Sequence, residues 1–115
     1  MVIRIKNLRL RTIIGVEDWE RVCPQEIIVN VEMEFDGSTA AVSDKLQDAI
    51  DYSELKRRMI AQAEPARFFL LERLADFILK IVMEDHRITR AVVEVDKPHA
   101  LRFADSVSVV TSAKR

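Results

Sequence analysis

Apolar and polar residues alternate near both ends of the chain. Within residues 2–14 the apolar positions change parity once, at Lys6-Asn7. The apolar positions on the two sides of this point are Ile3, Ile5, Leu8, Leu10 and Ile14. Successive strand residues point to opposite faces of a sheet, so the pattern predicts a long strand with a bulge.

A second alternating stretch, residues 27–35, is the most regular on the chain. Its apolar face consists of Ile27, Val29, Val31, Met33 and Phe35. Asp36-Gly37-Ser38 follows as a turn signal, which predicts an antiparallel pair of strands. Residues 38–50 are expected to form an irregular crossing.

The middle of the chain has helical spacing. Asp51 with Glu54 three residues later resembles a capping box, and predicts a helix that runs to about Ala63. Pro65 separates it from a longer helix over about residues 67–84. The apolar face of that second helix is Leu71, Leu74, Ala75, Ile78, Ile81 and Val82. Two more strands are predicted over residues 88–97 and 105–112.

The order of the elements is strand, strand, helix, helix, strand, strand. Segregated strands and helices predict an α+β fold, with a four-stranded antiparallel sheet and two helices on one face. A chain of 115 residues is expected to form a single domain, 1–115. The open sheet has two long edges that proline barely protects, so we expect the edges to be paired in an oligomer.

Charge and composition narrow the function classes. The 18 basic and 19 acidic residues leave a net charge of −1, which argues against nucleic-acid or membrane-surface binding. The single Cys23 fits a reducing compartment, so a cytoplasmic location is expected. Arg4, Lys6 and Arg9 interrupt any early apolar run, so no signal peptide is expected.

Lys97 is the first candidate for chemistry. It ends an apolar strand face, and Pro98 then stops the ladder because it has no N–H to donate. The face consists of Thr89, Ala91, Val93, Val95 and Lys97. Partial desolvation disfavours a charged ammonium, which would make this amine a usable base. The alternative is a strand-end lysine whose head reaches water.

Three other features invite a functional interpretation, each with an ordinary alternative. The acidic loop Glu17–Glu20 is otherwise a solvated loop, Tyr52 a core residue, and Glu72 a charge on a helix face. A metal site is not expected, since His86 and His99 lie thirteen residues apart and lack helical ligand spacing. Without a glycine-rich phosphate loop either, an enzyme here should need neither metal nor nucleotide cofactor.

Several short stretches, in order and at the right spacing, carry a family resemblance. They are Ile14-Gly15-Val16-Glu17-Asp18-Trp19-Glu20, Gln25, Ser43-Asp44 through Asp51-Tyr52, Phe69-Leu70-Leu71-Glu72, and Lys97-Pro98 with His99 through Val107. Together they cover Ile3 to Val110 and resemble the dihydroneopterin aldolase family. The run from His99 to Val107 is most similar to its bacterial dihydroneopterin triphosphate 2'-epimerase branch. The family often has a histidine where this chain has Ile14, which puts in doubt any transfer of aldolase rates.

The resemblance implies the tunnelling fold, in which tetramers close their sheets into a barrel and two rings stack into an octamer. It also implies a pterin substrate, no cofactor, and active sites between subunits.

The resemblance further assigns roles to individual residues. Lys97 is implied to be the catalytic lysine, with the Glu20 carboxylate near it and near the substrate side chain. Tyr52 is implied to stack on the pterin from the neighbouring subunit and to help proton transfer. Glu72, with the Leu71 backbone beside it, is implied to bind the pterin's amino edge, since a carboxylate accepts two parallel bonds from planar donors. Gln25 matches a family position to which the sequence assigns no role.

The implied reaction is a metal-free retro-aldol cleavage of C1'–C2'. If the aldehyde re-adds after turning over, C2' of 7,8-dihydroneopterin triphosphate is inverted to give 7,8-dihydromonapterin triphosphate. If it leaves, the enzyme is an aldolase of folate biosynthesis that makes 6-hydroxymethyl-7,8-dihydropterin and glycolaldehyde. We hypothesise that Arg102, with His99 and Arg21, holds the triphosphate, the alternative being ordinary surface charges.

Two further alternatives remain open. One is a non-catalytic pterin-binding or assembly protein with the same fold. The other is a zinc-dependent enzyme of the tunnelling fold, which the shortage of histidines disfavours.

Overall fold

The computed structural model describes residues 1–115. Five strands form one sheet in the order β3-β1-β2-β4-β5, and three helices accompany it. The strands are β1 (Val2–Ile14), β2 (Gln25–Phe35), β3 (Arg67–Phe68), β4 (Ile88–Pro98) and β5 (Ser106–Lys114). The helices are α1 (Ser38–Ser43), α2 (Tyr52–Ala63) and α3 (Leu71–Val82). All neighbouring strands are antiparallel except β3, which runs parallel to β1.

The α+β class and the four long strands are therefore confirmed, but the four-strand count was wrong. Arg67 and Phe68 were predicted to begin the second helix, and instead they pair with Ile13 and Ile14 as β3. The Gly15 N–H donates to the Phe68 carbonyl at 3.1 Å, which extends this pairing by one bond. The helix consequently begins only at Leu71.

Residues 38–50 also differ from the prediction of an irregular crossing. Residues 38–43 form the short helix α1, and Asp44 ends it in the left-handed region at φ 58°. The residue fits there because aspartate tolerates this conformation better than most side chains.

The predicted bulge in β1 is confirmed. The register of the β1–β2 pair shifts between Ile5 and Leu8, and Asn7 adopts φ 54°. The Asn7 N–H donates to Oδ1 of Asn30 across the strands at 2.9 Å. The shift changes which side chains face the helices, so that Leu10 is buried in the second half of β1.

The hydrophobic core lies between one face of the sheet and the helices α2 and α3. The apolar faces of β2 and β4 are buried there, including Val93 and Val95 ahead of Lys97. Asp51 caps α2 as predicted, since its carboxylate accepts the Glu54 N–H at 3.1 Å. The opposite face of the sheet is polar and open. No helix has the length and apolar character needed to cross a membrane.

Candidate active site

A buried ion pair lies where β4 ends. Nζ of Lys97 is 2.5 Å from Oε2 of Glu20, and the two side chains are only 14% and 7% exposed. Lys97 lies at the end of the apolar face of β4, and Glu20 lies in the 3-10 turn Asp18–Arg21 that follows β1. The fold thus joins two residues that are 77 positions apart in sequence.

The Glu20 carboxylate occupies a space that Gly15 leaves open. A Cβ atom on Gly15 would lie 2.1–2.3 Å from all three carboxyl atoms of Glu20, and Gly15 adopts φ +124°. Both facts require glycine at this position. The chain therefore uses one of its two glycines to admit the carboxylate.

Two further donors hold the same carboxylate. Nε2 of Gln25 donates to Oε2 of Glu20 at 2.9 Å and to the Ile14 carbonyl at 2.8 Å. The Glu17 N–H donates to Oε1 at 3.2 Å. Both carboxylate oxygens are thus hydrogen-bonded within the chain.

Opposing effects act on the acidity of Glu20. Burial is the largest and would raise its pKa, but hydrogen bonds from Lys97, Gln25 and Glu17 together outweigh burial. The pKa of Glu20 is therefore lowered, and the carboxylate is ionised at neutral pH. The Lys97 ammonium beside it makes the pair neutral as a unit.

The pair opens into a cavity of about 380 Å³. Glu20, Lys97, Leu71 and Glu72 all line this cavity, so the structure brings together four of the residues predicted for the site. The remaining walls are mainly apolar: Ile14, Val16, Phe69, Leu70, Ala100, Leu101, Val107 and Val109, together with Gly15. Apolar walls with a few polar groups are typical of a site for a small organic molecule.

Glu72 supplies the second carboxylate of the cavity. It is exposed in the first turn of α3 and has no hydrogen-bond partner or ion pair within the chain. Leu70 precedes the helix and provides no side-chain cap, so backbone N–H groups of the first turn are also available. This corner can both accept and donate hydrogen bonds.

Tyr52 is not part of this cavity. It is the first residue of α2 and is 58% exposed, so the alternative of a core tyrosine is wrong. Nothing in the single chain brings Tyr52 to Lys97, and its predicted role needs a second subunit.

The basic residues proposed for the triphosphate lie in different surroundings. His99, at φ 62°, lines a neighbouring cavity of about 380 Å³ with Trp19, Gln25, Glu26 and Pro98. Arg102 is exposed on the loop between β4 and β5 and makes no hydrogen bond or ion pair within the chain.

Arg21 is already engaged. Its Nη1 donates to the carbonyls of Gly15 at 2.9 Å and Phe68 at 2.7 Å, and its Cζ lies 3.8 Å from the Phe69 ring centre. The guanidinium therefore joins the two loops that frame the cavity. Nη1 of Arg21 is thus used within the chain, and a contact of Arg21 with a triphosphate stays a prediction.

No group of three or more histidine, cysteine, aspartate or glutamate side chains has the arrangement of a metal site. The polar atoms that line the cavity suit proton transfer and planar hydrogen bonding.

Comparison with known proteins gives a consistent result. A sequence model of the dihydroneopterin aldolase family matches residues 3–112. The dihydroneopterin triphosphate 2'-epimerase of Escherichia coli (strain K12) is 45% identical over 114 residues, 99% of this chain and 95% of that protein. The dihydroneopterin aldolase of the same strain is 30% identical over 109 residues, 95% of this chain and 89% of that protein. The crystal structure of E. coli dihydroneopterin aldolase in complex with neopterin superposes with a TM-score of 0.93 at 29% identity, covering 98% of each chain.

Proposed function

Because the chain belongs to the dihydroneopterin aldolase family, we propose that it is an enzyme that epimerises C2' of 7,8-dihydroneopterin triphosphate. The similarity to the 2'-epimerase, 45% against 30% for the aldolase, favours this activity over release of the aldehyde. The chemistry rests on one observation, the buried Glu20–Lys97 pair that lines the cavity.

The substrate brings its own electron sink. When C1'–C2' breaks, its electrons form a C1'=C6 bond and the former C=N electrons move to N5, which takes a proton. The 2'-hydroxyl loses its proton and becomes the carbonyl of an aldehyde. The protein has to accept one proton and deliver one, and Lys97 with Glu20 and an ordered water can do both.

Binding of the pterin is assigned to Glu72 and to the Leu71 backbone. The free Glu72 carboxylate can accept two parallel hydrogen bonds from the amino group and ring N–H of the pterin. The apolar walls of the cavity would cover the ring faces, and the side chain would then extend toward Lys97.

We assign the remaining parts of the site to an assembly. Tyr52 is exposed and does not line the cavity, which fits a role in the site of a neighbouring subunit. The edge strand β5 is long enough for pairing between copies, and barrel closure into a tetramer or octamer would cover such edges. The exposed Arg102 and His99 are assigned to the triphosphate, and the exposed free Cys23 fits the cytoplasm.

A product assay tests the function. The protein is incubated separately with 7,8-dihydroneopterin triphosphate and with 7,8-dihydroneopterin, and the pterins are separated after oxidation. Mainly monapterin triphosphate is expected from the first. Mainly 6-hydroxymethylpterin, with no preference for the triphosphate, would overturn the proposal in favour of the aldolase.

Two lysine variants control the assay. Lys97→Ala should lose turnover while it retains pterin affinity and oligomer size, as expected for an enzyme rather than a pterin-binding protein. Lys80→Ala changes a lysine that is 73% exposed and paired with Asp76, and it should turn over normally. Equal activity of the two variants would remove Lys97 from the mechanism.

A further inference from the structure

The side chain of Gln25 contacts the ion pair through the Glu20 carboxylate. Its Nε2 donates at 2.9 Å to Oε2 of Glu20, the same oxygen that Lys97 contacts at 2.5 Å. Its second amide hydrogen is used as well, because Nε2 also donates to the Ile14 carbonyl at 2.8 Å. Both contacts fix the orientation of the amide.

The position of Gln25 relative to the cavity matters for its role. The cavity that holds Glu20, Lys97 and Glu72 is not lined by Gln25. Gln25 lines the neighbouring cavity with His99 instead. Its side chain therefore contacts Glu20 from outside the cavity that would hold the pterin.

From this geometry we infer that Gln25 is a positioning residue, which holds the Glu20 carboxylate against Lys97 and keeps it ionised for proton transfer. The inference rests on the proposed function. An amide N–H favours a charged carboxylate over a neutral carboxyl group, because the hydrogen bond to the ion is the stronger one. Without this donor, Oε2 would be bound by Lys97 alone, and the only other bond to the carboxylate would be that of the Glu17 N–H to Oε1.

Three proteins test this role. Gln25→Met has similar length but no donor, and Gln25→Glu keeps the shape while it places a second carboxyl group beside Glu20. Asn30→Leu is the matched control: Asn30 is also an amide on β2 that bonds to β1, through Asn7, but it has no contact with Glu20. The control separates a loss of strand pairing from a loss of Glu20 positioning.

The kinetic expectation is a fall in kcat of about tenfold for Gln25→Met, the scale of one hydrogen bond to an ion, with little change in KM. The acid limb of its pH–rate profile should move to higher pH, and Gln25→Glu should move it further, because two nearby carboxyl groups resist double ionisation. Asn30→Leu should leave the acid limb in place. A large rise in KM at constant kcat would instead show that Gln25 binds substrate, and would overturn the inference.

A measurement that needs no turnover separates this inference from the proposed function. Carboxyl-carbon NMR titration of Glu20 should give a higher pKa in Gln25→Met than in the wild type, whatever reaction the enzyme catalyses. An unchanged Glu20 titration would refute the positioning role even if the epimerase activity is real. If Gln25→Met does not fold, the same titration on Gln25→Leu, which also lacks the donor and adds no charge, decides the matter.

Discussion

Gly15→Ala is the sharpest test of the geometry around Glu20. The new Cβ would lie 2.1 Å from the nearest carboxyl atom, whereas ordinary contacts begin at 3.4 Å, so the carboxyl group must retreat by roughly 1.3 Å. The backbone cannot move away easily, since the Gly15 N–H bonds to Phe68 and its carbonyl accepts from Arg21. In addition, alanine at φ +124° is strained by about 1–3 kcal/mol.

A displacement of this size should separate Glu20 from Lys97 and Gln25. Misplacement of a catalytic group by about 1 Å costs on the order of 100-fold in rate, so kcat should fall by about that factor. The assay is turnover of 7,8-dihydroneopterin triphosphate, with urea unfolding measured in parallel. The free energy of unfolding should fall by the strain energy together with the contribution of the broken Lys97 and Gln25 contacts to Glu20.

The other glycine of the chain provides the control. Gly37→Ala would bring its Cβ to 2.4 Å from Sδ of Met1, the end of a flexible side chain that can move, and Gly37 has an ordinary φ of −91°. This variant should retain turnover. If Gly15→Ala folds and turns over close to the wild-type rate, the carboxylate position is not needed for the reaction.

Three further predictions follow from the site. Arg102→Ala should weaken the triphosphate substrate far more than the unphosphorylated one, and equal weakening of both in steady-state kinetics would contradict a phosphate contact. When inactive Tyr52→Ala and Lys97→Ala chains are co-assembled in equal amounts, about a quarter of the sites should have both residues intact if each site combines two subunits; mixtures that stay inactive would contradict a shared site. Glu20→Gln should flatten the dependence of the unfolding free energy on acid pH, because the pKa of Glu20 is lower in the folded state than in the unfolded state. The stabilisation from the Glu20 carboxylate is present above the unfolded pKa near 4.5 and is lost as the pH falls through the folded pKa. An unchanged slope of unfolding free energy against pH in that window would contradict the contribution of Glu20.

The long strands and helix α2 could be predicted because each has a sequence pattern that arises from neighbouring residues. The alternation of β1 and β2, and the Asp51 cap of α2, depend on residues that are near in sequence. By contrast, β3 has two residues and exists only because the end of β1 offers a parallel partner. Such short pairing depends on tertiary contacts and leaves no period in the sequence to detect.

The same distinction applies to the site. A lysine at the end of an apolar strand face was visible in the sequence, and the family resemblance added Glu20, Tyr52 and Glu72. The roles of Gln25 and Arg21 were not visible, because each depends on how the loop after β1 folds back against neighbouring segments. The available signals were the closeness of both residues to Glu20 in sequence and the match of Gln25 to a family position, and neither signal specified these contacts.

Pairing with Glu20 changes what Lys97 can do. A desolvated lysine alone would favour the neutral amine and act only as a base. With a carboxylate at 2.5 Å, donor and acceptor are in contact, and the neutral pair can take up a proton at one atom and release one at another. Epimerisation needs this reversibility, because its second half repeats the first in reverse on the other face of the aldehyde. The aldolase outcome needs a further step after the aldehyde leaves, in which C1' of the pterin fragment gains a proton and N5 loses one. The choice between the two outcomes therefore depends on groups that retain the aldehyde, and the proposed function assigns this role to the loop that carries His99 and Arg102.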